Sequence, residues 1–90
     1  MTAAAPNPNE VAMLRAEVEM LMTERQVLLT TVGAASVFVA NLHAEDLPED
    51  AYAAGDVLAD ALNKLPEETL REALELVRPL VLKDMEDAGN

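Results

Sequence analysis

Side chains able to do chemistry are few in this 90-residue chain, and their spacing narrows what they could do. Asp56 and Asp60 stand one helical turn apart near Tyr52, a separation at which two carboxylates can share a divalent cation. Helical solvent faces carry such pairs commonly, and no oxygen-rich loop completes a coordination shell, so the pair reads as a solvated face. His43, the single histidine, falls near the end of a helical stretch with Glu45 and Asp46 just beyond it. Protonated, it would favour the helix dipole, either as a pH-sensitive contact or as an end-of-helix residue with local pairing. Ser36 is the single serine, it lies in an apolar run, and there is no cysteine; neither a nucleophile with its general base nor a His-rich metal centre can be assembled. Glycines at 33, 55 and 89 make no phosphate loop. The sequence therefore predicts a protein that is not an enzyme, with no catalytic residue, cofactor or metal.

Composition points the same way. The chain is 51% apolar with a formal charge of -11, and its single Phe, single Tyr and absent Trp leave no aromatic platform for bases. Six basic against seventeen acidic side chains cannot neutralise a phosphate backbone, which excludes direct nucleic-acid binding. A domain this small buries only about 60% of its unfolded surface, and without disulfides self-association becomes the leading stabiliser. The charge is lopsided: up to residue 44, four carboxylates face Arg15 and Arg25, whereas from residue 45 on thirteen face four cations. An acidic recognition surface for a partner protein, a basic one included, is therefore sought among Glu45, Asp46, Glu49, Asp50, Asp56, Asp60, Glu67, Glu68, Glu72 and Glu75. The N-terminus lacks a basic and an apolar targeting region, so a cytoplasmic location is expected. Residues 26–44 hold no Asp, Glu, Lys or Arg, but six polar side chains, Gly33 and no flanking basic cluster make them a buried helix, not a membrane span.

Helix-start signals divide the chain. Asn7-Pro8-Asn9-Glu10 reads as a cap, a proline at the first helical position and a capping-box glutamate. Asp46-Leu47-Pro48-Glu49 repeats the device, and Leu65-Pro66-Glu67-Glu68 opens on proline with two carboxylates at the positive dipole end. The expected organisation is a disordered tail over 1–7 and a single all-α domain over 8–90. Its helices are placed at 8–44, with a possible break near Gly33, at 48–64, and at 66–87 with a kink or stop at Pro79. Asp84 to Asn90 read as a frayed tail.

The first helix carries the strongest pattern. Written as a heptad abcdefg, the a positions are Val11, Val18, Arg25, Val32 and Val39, and the d positions are Leu14, Leu21, Leu28, Ala35 and Leu42. β-branched residues at a with Leu at d favour a parallel two-stranded coiled coil, in which Glu10 at g would pair with Arg15 at e of the other strand. Met22 and Leu29 at e widen the stripe, so other chains or later helices are expected to pack there too. Arg25 has two readings: a charge that selects register and oligomer state, or a long stem packed on the seam whose head leaves for Glu24 or solvent. The second helix offers a thin alanine-rich face. The third is apolar on two rows, Leu70, Leu74, Val77 and Val81 beside Ala73, Leu76 and Leu80, and wants more cover than one neighbour supplies.

Two stretches, Leu14-Arg15-Ala16-Glu17-Val18-Glu19 and Leu65-Pro66-Glu67-Glu68-Thr69-Leu70-Arg71-Glu72-Ala73-Leu74, resemble the small acidic helical accessory proteins of tailed bacteriophages and prophages. The absence of Ile and the preference for Ala, Val and Arg also look like a GC-rich bacterial or phage coding sequence. That resemblance implies a host-takeover or anti-defence protein that inhibits by binding. The expected function is a homo-oligomeric protein-interaction module, a homodimer or dimer of dimers. The alternatives are a nucleic-acid-mimicking inhibitor of a DNA- or RNA-binding complex and a structural scaffold subunit.

Overall fold

The structure is a computed structural model that describes residues 7–88. Among these residues the protein is all-α: α1 (Pro8–Ala40), two 3₁₀ turns (Ala44–Asp46 and Glu49–Ala51), α2 (Tyr52–Asn63) and α3 (Glu67–Ala88). Residues 1–6 of the tail expected over 1–7 and the last two residues of the expected C-terminal tail lie outside the described residues, and Asn7, expected in that tail, is instead the ordered cap of α1.

That cap is built as its sequence specifies. Asn7 Oδ1 accepts from the Glu10 amide at 2.8 Å, and Glu10 Oε2 accepts from the Asn7 amide at 3.4 Å, with Pro8 at the first helical position. The helix then runs unbroken through Gly33. Thr30, Thr31 and Ser36 donate their hydroxyls to the carbonyls four residues back at 2.9 Å, so these poor helix formers bond within the helix and do not interrupt it. α1 ends at Ala40, four residues before the expected end. The Asn41 side-chain amide donates to the Val37 carbonyl at 2.8 Å, and its own amide folds back on the Val37 and Phe38 carbonyls at 3.2 Å, local bonding that competes with another helical turn.

The second helix also starts later than its cap signal suggests. Leu47, held before Pro48, is extended at φ -85 and ψ 141. Asp46 therefore belongs to the preceding 3₁₀ turn, its amide donating to the His43 carbonyl at 2.9 Å, and neither 3₁₀ turn has a side-chain cap. α3 opens where expected, with the Leu70 amide on the Pro66 carbonyl at 3.1 Å, and it continues through Pro79 to Ala88. Glu75 and Pro79 both lie on the exposed side, where water can take the carbonyl that proline leaves without a donor.

The core sits at one crossing. Gly33 lies against the Ala73 carbonyl and Val77, and Leu29, Ala73 and Val77, with 6%, 0% and 3% of their surface exposed, are the buried hydrophobic residues. α3 runs back against the direction of α1: Leu70 adjoins Ser36, Val39 and Ala40, whereas Leu76 lies beside Met22, Gln26 and Leu29. The row of α1 that meets α3 is thus Met22, Gln26, Leu29, Gly33 and Ser36, the e and b positions of the heptad. α2 adds Ala59 and Leu62 against Val39 and Ala40. The molecule extends 66 Å with a radius of gyration of 19.4 Å, against about 12 Å for a compact chain of this length.

Two glycine replacements separate helix propensity from packing. A Cβ at Gly33 would overlap the Ala73 carbonyl and stand 3.0 Å from Val77 Cβ, whereas one at Gly55 meets only Leu47 Cδ1 at 3.7 Å. In thermal unfolding, Gly55→Ala is expected to stabilise by about 0.5–1 kcal/mol. Gly33→Ala is expected to lose about 1–2 kcal/mol net, overpacking outweighing the same propensity gain.

Candidate protein-interaction surface

Each residue from Asn7 to Leu28 is exposed. This half of α1 carries Val11, Leu14, Val18, Leu21 and Leu28 on the a/d face, with Val18 53% and Leu21 62% open. The rest of the predicted seam, Val32, Ala35, Val39 and Leu42, is half-buried within the chain, and Val39 and Leu42 face Leu47 and Ala59. The seam therefore divides into an open N-terminal stretch and a C-terminal stretch that the chain itself partly covers.

Arg25 stands at this division. Its guanidinium donates through both terminal nitrogens to the Glu72 carboxylate of α3, at 2.9 and 3.0 Å, although both side chains remain about half exposed. The head has left the seam, as one reading of the sequence expected, but for Glu72 and not for Glu24. The hydrogen bonds from Arg25 hold the Glu72 carboxyl below the usual carboxylate range, and those same bonds raise the guanidinium.

A second apolar row lies on the same half of α1. Met13, Met20 and Val27, all exposed, repeat every seven residues at heptad position c. The glutamates at g, Glu10, Glu17 and Glu24, separate this row from the seam. Its seven-residue spacing was legible in the sequence, but only the a/d row was read from it.

The acidic candidates are distributed along the other elements. Glu45, Asp46, Glu49 and Asp50 fall in the two 3₁₀ turns, Asp56 and Asp60 on α2, and Glu67, Glu68, Glu72 and Glu75 on α3, all of them exposed. Among the described residues no group of three His, Cys, Asp or Glu side chains is placed to hold a metal ion. Two ion pairs suggested by i,i+4 spacing do not form: Lys64 and Glu68 lie on either side of the break between α2 and α3, and Glu67 and Arg71 stay apart. His43 lies past the end of α1, in extended backbone before the first 3₁₀ turn. A cleft of about 400 Å³ opens between Val39, Leu42, Leu47, Tyr52 and Asp56. It brings one phenol and one carboxylate to an apolar wall. Among the described residues, no helix is long and apolar enough to cross a membrane. No known protein family, curated protein or solved structure matches the chain.

The Arg25–Glu72 pair makes a pH prediction. Because the folded carboxyl titrates below its unfolded value, the pair's contribution is present above the unfolded value, about 4.3 for glutamate, and is lost as pH falls through the lower folded value. The difference in melting temperature between wild type and Glu72→Gln is therefore expected at pH 7, to close on acidification below the carboxylate range, and to shrink in 0.5 M salt.

Proposed function

We propose that this chain is a non-enzymatic helical module that self-associates through the N-terminal half of α1 and acts by binding another protein. The observation that carries this reading is the unbroken exposure from Asn7 to Leu28 on a helix with two apolar rows. An isolated helical segment of this length is marginal in water, and most helical stability comes from packing an apolar face. Area supports the same reading. The accessible surface is 7676 Å², whereas a compact 9.7 kDa monomer exposes about 5,100 Å². The excess, about 2,500 Å², matches one protomer's share of a large homodimer interface.

The Met13, Met20 and Val27 row remains outside a two-stranded pairing and suits a protein partner or a dimer of dimers, since methionine surfaces adapt to varied contacts. The likeness to phage accessory proteins supplies a setting, cytoplasmic inhibition of a host protein by binding. A second reading, mimicry of nucleic acid, draws on the four exposed carboxylates of the 3₁₀ turns. Salt separates the two: partner binding through an apolar row survives 0.5 M salt, and binding through mimicry collapses.

Light scattering at micromolar concentration is expected to give at least a dimer for wild type and a monomer for Leu21→Glu, with reduced helicity. A wild-type monomer under these conditions would make the seam an ordinary exposed face. A tagged pull-down with and without nuclease, at low and high salt, then identifies the class of partner.

A further inference from the structure

Self-association leaves open which way two copies meet, and the charges bordering the open seam distinguish the choices. A parallel, in-register pairing over residues 11–28 sets like against like along a and d, and it places Glu10 of each copy beside Arg15 of the other, two ion pairs by symmetry. An antiparallel pairing over the same length brings the g row of one copy, Glu10, Glu17 and Glu24, against the g row of the other, carboxylate facing carboxylate, and leaves Arg15 beside apolar e positions.

The parallel arrangement has one obstacle, since Arg25 at position a would face Arg25 of the second copy. The structure removes it. Glu72 takes both terminal nitrogens of Arg25 at 2.9 and 3.0 Å and draws the charge toward α3, on the side away from d. Over residues 11–28, α3 meets α1 at Met22 and Gln26 of the e and b rows and leaves the apolar a/d positions exposed.

We infer that the occupant of the open seam is a second copy of this chain, parallel and in register, and that Glu72 acts as an assembly residue by neutralising Arg25 and holding it out of the seam. The inference rests on the self-association proposed above, names its geometry, and assigns a role to a residue of another helix. It makes the docking of α3 a condition of pairing, because α3 carries the counter-charge.

The full chain contains no cysteine, so one introduced thiol reports on orientation without background. Leu14→Cys at position d is expected to form a disulfide-linked dimer under mild oxidation. In the antiparallel arrangement the two thiols would stand about 16 Å apart, beyond disulfide reach. Sedimentation equilibrium is expected to show that Glu72→Gln, with unchanged circular dichroism, weakens the dimer about five-fold at low salt and less at high salt. Arg25→Val is expected to tighten it, and adding Glu72→Gln to Arg25→Val to change nothing further. A dimer in which the Leu14→Cys thiols stay reduced overturns the parallel register, and a Glu72→Gln dimer as tight as wild type overturns the role of Glu72. A monomer at all concentrations would instead overturn the self-association beneath both.

Discussion

Where Gly33 meets the Ala73 carbonyl, two helix backbones approach as closely as a side chain at position 33 would forbid. That contact fixes the position of α3 along α1, and most other features follow from it. Gly33 lies in the C-terminal third of a 33-residue helix, and α3, crossing there, reaches back only as far as Met22. α2 is engaged still nearer the C-terminal end, at Val39 and Ala40. Past Val77, α3 is exposed almost throughout and leaves the N-terminal half of α1 open, so the crossing point decides which part goes uncovered. Apolar content alone would have pointed the other way, since α1 carries nine large hydrophobic residues before Leu29 and four after it.

The Arg25–Glu72 pair belongs to the same geometry. Exposed as it is, it adds little to stability. Its consequence is positional. A cation within an apolar row is compatible with a neighbouring helix only if its head group has somewhere else to go, and the crossing at Gly33 brings α3 near enough to offer Glu72. The acidic half of the chain thereby supplies a counter-charge to the nearly neutral half, while the other candidate carboxylates stay on the surface.

Much of this was legible in the sequence, and the exceptions have local causes. The cap at Asn7, the start of α3 beside Pro66 and the all-α class follow from short-range chemistry that tertiary contacts do not alter. The second helix start was misplaced because Pro48 constrains Leu47 as well as itself, and no spacing rule weighs that against an aspartate cap. Gly33 was read as a weakness in a helix, since propensity measures what glycine costs locally; what it permits depends on a residue forty positions away. Likewise, the a/d periodicity marked an apolar stripe truly present on α1, but it did not divide the stripe into the part the chain partly covers and the part it leaves open. Met22 and Leu29, the widening noted at position e, turn out to meet α3 of the same chain, a choice between another chain and a later helix that spacing does not make, and the partner of Arg25 lay beyond any local spacing.

The separation of the two apolar rows on α1 has a further consequence for how self-association and partner binding would relate. If a partner protein used the seam of Val11, Leu14, Val18 and Leu21, it would compete with the second copy, and each would weaken the other to the same degree. If it used Met13, Met20 and Val27, the glutamate row between them would keep the two interfaces distinct, and pairing would present that row twice on one assembly. Any helix order that pairing adds to residues 8–28 would then already be in place when the partner arrived, so that its binding would not pay for it again. On this geometry, association through the seam would strengthen binding through the methionine row, and the same helix would serve both without a change of fold.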